Sequence, residues 1–324
     1  MKALSVFSGG LDSLLASELI RDQGIDVQAL FFETPFFSST KAFKFAKSIN
    51  LPIKVIDITD RHLEIVKRPK HGYGENMNPC IDCHTLMFRI AGEMIEEEDA
   101  SFIITGEVLG QRPMSQNRKA LSIIASESGF EGLILRPLSA KFLPLSIPEA
   151  KAWVNRDELM DFSGRSRKPQ MELAKRLNIG QYPSPAGGCL LTDKVFTRRL
   201  KDLFLSDPQF EIRDIELLRV GRHFRIGPNT KLVVGRNKTE NQAIRALSAE
   251  GDILLSPVSV PGPTVLAIGE YLPGSDELAA IMTVSYSDAG ADDITEVNLR
   301  TKGKERILRT KKRNKDEFKR YMIC

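Results

Sequence analysis

The sequence predicts an α/β fold, a doubly wound and mostly parallel sheet, followed by a smaller C-terminal α+β domain. Three observations carry that prediction. Short apolar runs alternate with amphipathic stretches of helical period through the first half of the chain, the pattern of strands joined by crossover helices. Glycine-containing polar segments follow the first strand and again follow 102–105, at the carboxyl ends where such sheets place their ligands. Past Asp207 the pattern changes to short β-rich runs separated by Gly and Pro. With 324 residues, 42% of them hydrophobic, the chain is long enough to bury two cores.

Lys2 to Phe7 is short, apolar and ends at a glycine pair, which reads as a buried strand. Leu11, Leu14, Leu15 and Leu19 then recur at spacings of three and four, one face of a helix. Val27 to Phe32 is a second strand. Lys41 to Ile49 follows as a helix with Ala42, Phe45, Ala46 and Ile49 inward, and Ile53 to Ile58 is a third strand. A helix over Thr85–Glu97 turns Leu86, Met87, Ile90, Ala91 and Met94 to one side; Phe102 to Thr105 is a strand, Ser115 to Ser128 a helix and Leu133 to Leu135 a short strand. Between Leu143 and Gly164 lies a helix with the single tryptophan, Trp153. The basic stretch Ser163 to Pro169 reads equally as a phosphate contact or a solvated linker. Helices over Met171–Leu177 and Asp193–Leu205 come next, and Lys231–Val234 and Val265–Ile268 are strands of the last part. The expected domains are 1–165, a helical connector 166–207, and 208–324. No run approaches the roughly 18 apolar residues of a membrane helix, and the N-terminus has no secretory pattern, so the expectation is a cytoplasmic protein with no membrane partner.

The chemistry begins at Ser8-Gly9-Gly10-Leu11-Asp12-Ser13. Glycines after a strand let backbone approach a ligand, and the free N–H groups of a helix start attract anions, so the segment is a phosphate cradle. It lacks the Gly-Lys-Ser/Thr of the Walker loop and the spacing of the dinucleotide fingerprint. It resembles the PP-loop of the ATP pyrophosphatases, which split ATP to AMP and pyrophosphate and leave an adenylated substrate. The resemblance implies that Ser8, Gly9, Gly10 and Ser13 hold the pyrophosphate end of ATP and that Asp12 binds Mg2+ or orients the phosphates.

Thr105-Gly106-Glu107-Val108-Leu109-Gly110-Gln111-Arg112, a following Ser115-Gln116 and then Leu135-Arg136-Pro137-Leu138 resemble the tRNA 4-thiouridine synthetases. In that reading Gly106 lies against the nucleotide, and Gln111 and Arg112 face the RNA or the phosphates. Asn78-Pro79-Cys80-Ile81-Asp82-Cys83-His84 resembles the tRNA 2-thiouridylases, in which positions matching Cys83 and Cys189 transfer sulfur. The extra cysteine at Cys80 departs from their persulfide-using members. C-x-x-C with a distant third cysteine is the pattern of thiolation enzymes holding a 4Fe-4S cluster with one open iron, a soft centre suited to thiolates. A persulfide relay remains open, as does a structural zinc on the three thiolates plus His71 or His84. The terminal Cys324 has no motif around it.

In the last part, Phe224 to Asn241, Gly251 to Ser256 and Val260 to Val265 resemble the RNA-binding domain of the NFACT family, with Leu254 and Ser256 standing where that family has an aromatic and a histidine. Arg300 to Arg320 carries eleven Lys or Arg against three acids, a phosphate-binding surface in this context. Arg112, Arg236, Lys302, Lys304, Arg309, Lys311, Lys312 and Arg313 are the RNA-contact candidates. Together the resemblances imply an ATP-dependent tRNA uridine sulfurtransferase. Its partners would be tRNA, a sulfide or cysteine desulfurase source of sulfur, and a second copy in a homodimer. Two rivals stay open: a PP-loop ligase or amidotransferase acting on a small molecule, and a noncatalytic RNA- or ribosome-binding protein.

Overall fold

Five strands form the first sheet: β1 (Lys2–Val6), β2 (Asp26–Glu33), β3 (Ile53–Asp57), β4 (Phe102–Thr105) and β5 (Ile134–Leu135). They run parallel in the order β3-β2-β1-β4-β5. Alternate residues of each strand face opposite sides. Ala3, Ala29 and Ile104 enter a core with α1 (Leu11–Arg21) and α2 (Thr40–Ser48), whereas Leu4, Leu30 and Ile103 enter another with α4 (Cys80–Glu93) and α5 (Arg118–Ser128). Strand order reverses between β1 and β4, where Val6 pairs with Thr105. Sheets of this kind place their ligands just beyond such a switch point, and Ser8 and Gly106 follow β1 and β4 there.

This computed structural model describes residues 1–183, 189–270, 274–301 and 303–323. The chain divides into two compact units, Met1–Thr192 and Asp193–Cys324, so the stretch expected as a connector is shared: α7 (Lys168–Arg176) packs on α1, and α8 (Lys194–Ser206) lies in the second unit. Several elements differ from the sequence expectation. A helix α3 (Thr59–Lys67), unanticipated, buries His62, Leu63 and Val66. Helix α4 starts at Cys80 rather than Thr85, because Pro79 ends the preceding loop and its carbonyl accepts from Cys83 N at 2.9 Å. Helix α5 starts at Arg118, where Asn117 caps it by accepting from Ala120 N at 2.9 Å. Between Leu143 and Gly164 the helix is reduced to α6 (Ile147–Ala150) and a 3-10 turn at Arg156–Glu158. A Ser146/Glu149 capping box starts α6, and Ala152, at φ +52°, lies outside helical geometry.

The second unit contains α8, α9 (Ile212–Leu217), α10 (Lys238–Ala246), α11 (Ser275–Ser285) and an antiparallel sheet. The sheet comprises β6 (Arg222–Arg225), β7 (Thr230–Val234), β8 (Ile253–Pro257), β9 (Val265–Gly269), β10 (Thr295–Thr301) and β11 (Lys304–Thr310), ordered β11-β10-β8-β9-β7-β6. Phe224, Val265, Met282, Val297 and Phe318 are among the residues of its core. Among the described residues no helix is long and apolar enough to cross a membrane.

Candidate functional site

The loop after β1 is shaped by two close approaches. Gly9 sits at φ +72°, and a Cβ there would come within 2.7 Å of Ala42 Cα, so the start of α2 is pressed against it. Gly106 is tighter: its Cβ would lie 2.5 Å from Asp12 C and Ser13 N, which places this glycine against the first turn of α1. Gly10 caps α1 without a side-chain hydrogen bond, leaving orphan N–H groups of the first turn for an anion. Ser13 Oγ donates to Gly10 O at 2.8 Å, and Ser8 Oγ donates to Ser13 Oγ at 3.4 Å, so both hydroxyls stay inside the loop.

Asp12, in the first turn of α1, is held in a polar network. Gln111 Nε2 donates to Asp12 Oδ2 at 2.7 Å, and Gln170 Nε2, from α7, donates to Gln111 Oε1 at 2.9 Å. Gln111 therefore holds the aspartate. Burial raises the Asp12 pKa above its ordinary value, opposed by the Gln111 hydrogen bond, by the charges of Arg167 and Arg112, and by Gln170. Asp12 Oδ1 is buried with no hydrogen-bond partner among the described residues, an acceptor left open in the first turn of α1.

Cys80 and Cys83 occupy the first turn of α4, and all three cysteines described, Cys80, Cys83 and Cys189, are unbridged. The segment of Cys189 is tied to the loop before α4: Met77 N donates to Leu191 O at 3.3 Å and Asn76 Nδ2 to Thr192 O at 2.7 Å. Leu190 N donates to Phe36 O at 3.3 Å, fixing the other side beyond β2. The thiols feel one another. Burial pushes Cys83 well above the ordinary thiol range, with Cys189 and Cys80 adding to it; burial pushes Cys189 up to about 11, and Cys80 is raised as well. Arg112 acts against the rise at both Cys80 and Cys189, and it is also one of the charges acting on Asp12. One exposed arginine thus lies within electrostatic reach of the nucleotide loop and of the thiols. Among the described residues no group of three or more His, Cys, Asp or Glu is arranged to hold a metal ion. The glycines before Cys189 lie outside the described residues, as does Cys324.

The sequence motifs also meet at a residue that the sequence reading did not single out. Glu107, 3% exposed, accepts from His84 Nδ1 at 2.8 Å and from Arg136 Nε at 2.9 Å. Burial would raise its pKa, but Arg136 and His84 outweigh that and hold it below the usual value. His71 Nε2 lies 3.2 Å from Glu127. Both histidines considered for zinc are therefore engaged with carboxylates. A buried acid beside a glycine is the one sequence signal that points to Glu107; Gln170 has none, since its partner is brought in only by the packing of α7.

In the second unit the expected cations separate into two groups. Arg236 is paired with Glu240, its Nε 2.9 Å from Oε1, and Arg309 is paired with Glu296 at 2.8 Å. Lys312 Nζ donates to Ala289 O at 3.0 Å, a structural bond. Lys304, Lys311 and Arg313 are exposed and make no ion pair among the described residues, and Lys302 lies outside them. Phe318, an aromatic of the basic segment, is buried in the core. Tyr286 instead lies under two cations, Arg222 at 5.1 Å and Lys315 at 5.3 Å from its ring centre.

Residues 1–141 match the family model described as thiamine biosynthesis protein (ThiI), and residues 221–322 match that of the NFACT protein RNA binding domain. A probable tRNA sulfurtransferase of Oceanobacillus iheyensis is 29% identical over 148 residues, which is 42% of this chain and 34% of that protein. One of Ureaplasma parvum serovar 3 is 34% identical over 150 residues, 43% of this chain and 37% of its own. The tRNA-specific 2-thiouridylase MnmA of Karelsulcia muelleri is 32% identical over 124 residues, 35% of this chain and 32% of that protein. The chain thus spans about a third of the length of these relatives.

Proposed function

We propose that this chain, with a ThiI-type PP-loop domain and an NFACT-type RNA-binding domain, is an ATP-dependent tRNA uridine sulfurtransferase. The observation that carries the reading is that the segments bearing the motifs are tied together: Gly106 lies against Asp12 and Ser13, Gln111 bonds Asp12, and the Cys189 segment is bonded to residues 76 and 77 just before Cys80 and Cys83. Activation by ATP and handling of sulfur can then share one site. In the first step the uridine carbonyl oxygen attacks the α-phosphorus and pyrophosphate leaves, its charge met by the α1 N-terminus and by Ser8, Gly9, Gly10 and Ser13. In the second step hydrosulfide adds to the activated carbon, the C–O bond breaks, and AMP departs with the original carbonyl oxygen. A proton is released, and no oxidant or reductant is consumed.

The orphaned Asp12 Oδ1 is the atom that would meet Mg2+, which neutralises charge on the leaving pyrophosphate. The chemistry of Cys80, Cys83 and Cys189, three unbridged thiols with Cys83 buried and the other two half-buried, suits the soft iron of a 4Fe-4S cluster, although among the described residues they are not already gathered as a metal site. When bound, such a cluster would supply an open iron at which sulfide can be presented. The zinc alternative is less well supported, because His71 and His84 are already engaged with Glu127 and Glu107. The sulfur source in this reading is sulfide or a cysteine desulfurase.

The test uses anaerobically purified full-length protein with unmodified tRNA, ATP, Mg2+ and sulfide, followed by nucleoside mass spectrometry. Thiouridine formed only with ATP, and lost with Asp12→Asn and with Cys189→Ala, is the expected result. ATP-dependent ligation of a small molecule without thiouridine, or RNA binding without ATP turnover, would replace this reading with one of its rivals. Iron and acid-labile sulfide of about four per chain, lost in Cys189→Ala, are expected for the cluster; stoichiometric zinc would contradict it.

A further inference from the structure

We propose that Gln170 is a positioning residue for Asp12, acting through Gln111 to keep one carboxylate oxygen open for the divalent cation that accompanies the nucleotide. The proposal rests on the reading of Ser8 to Ser13 as an ATP site. Gln170 is 0% exposed, although its side chain is a polar amide. A buried amide is costly unless bonded; its bond of good geometry is to Gln111, 59 residues away in the chain, and it also lies near enough to Asp12 to be the smallest of the influences that oppose the rise of the aspartate pKa.

The polarity of the relay is set from its far end. The Asp12 carboxylate only accepts, so Gln111 must turn its NH2 toward it; the Gln111 carbonyl then faces Gln170, which must donate in turn. This leaves two acceptors in the same network, Asp12 Oδ1 and Gln170 Oε1, buried and without a donor among the described residues. Arg112 and Arg167 act on Asp12 through their charge, yet neither makes an ion pair with it, so they offset its charge without occupying the free oxygen. Two acceptors kept without donors beside a phosphate cradle are what a hydrated divalent cation requires. The relay is anchored at both ends: α7 packs on α1, and Gly164 N donates to Leu109 O at 2.7 Å, two residues before Gln111. Outer residues that orient a metal-binding carboxylate contribute to metal affinity without touching the ion.

The test is binding of the nonhydrolysable analogue α,β-methylene-ATP to the full chain by isothermal titration calorimetry, in EDTA and in Mg2+, for wild type and Gln170→Met. Methionine keeps the volume and removes the hydrogen bonds. The EDTA affinity of the variant is expected to stay near that of wild type, while the Mg2+-dependent gain falls about 10-fold or more. Gln170→Leu, which removes the same hydrogen bonds with a different apolar shape, is expected to show the same selective loss and serves where Gln170→Met fails to fold. An unchanged ratio of Mg2+ to EDTA affinity overturns the proposal, as does an equal loss in both conditions. A wild-type chain that does not bind the analogue at all overturns the nucleotide reading and, with it, this proposal.

Discussion

Gly106 is fixed as glycine by contact: any Cβ would overlap the backbone of Asp12 and Ser13. Gly106→Ala is expected to lose about 1–3 kcal/mol of stability through overpacking and to weaken ATP binding, read by urea unfolding and calorimetry. Glu107 makes a different kind of demand. Its folded pKa is depressed, so its contribution is present above its unfolded value and is lost as pH falls through the folded one. Glu107→Gln leaves Arg136 without its counter-charge and is expected to cost about 3–5 kcal/mol at neutral pH. His62 has the opposite chemistry. It is buried between Phe36 and Phe37, its ring nitrogens have no hydrogen-bond partner among the described residues, and burial lowers its pKa to about 4. The unfolded chain binds the proton first as pH falls below 6.5, so stability decreases between 6.5 and about 4, by about 3 kcal/mol in full. Urea unfolding across that window should show the loss in wild type and its absence in His62→Leu. Ser8 to Ser13 could be read in the sequence because the residues of a phosphate loop are contiguous. The Gln170–Gln111–Asp12 relay could not, since an amide declares no partner until tertiary packing supplies one.

Among the elements, α4 determines where the sulfur chemistry can sit. By starting at Cys80 it places Cys80 and Cys83 one turn apart on a rigid element, while the Cys189 segment is tied to residues 76 and 77 just before it. Helix α5 backs α4, and its cap is Asn117. Asn117→Ala is expected to cost about 1 kcal/mol, read as a lower thermal midpoint with the nucleotide affinity unchanged. The parallel sheet was legible because its strands are apolar runs of the expected length between helical periods. Helix α3 was missed because its buried face includes His62 and Thr59, which dilute the apolar signal. The start of α4 was misplaced because its first turn carries the cysteines rather than a hydrophobic repeat.

For the whole molecule, a unit matching the ThiI model is followed by one matching the NFACT RNA binding domain, and in the second the cations that pair with no acid are the ones proposed to meet RNA. Replacing Lys304, Lys311 and Arg313 together by alanine is expected to lower the salt-dependence slope of tRNA binding by about 2–3, one phosphate contact per side chain, while Arg236→Ala and Arg309→Ala change it little. Composition alone treated all these cations alike; only the fold shows which are held by Glu240 and Glu296. Whether Asp12 and the three cysteines serve one thiolation reaction on tRNA is decided by mass spectrometry of tRNA nucleosides from a strain lacking this gene. One thiolated uridine is expected to disappear and to return with the wild-type gene but with neither Asp12→Asn nor Cys189→Ala. Thiolated nucleosides unchanged by the deletion would contradict that shared role.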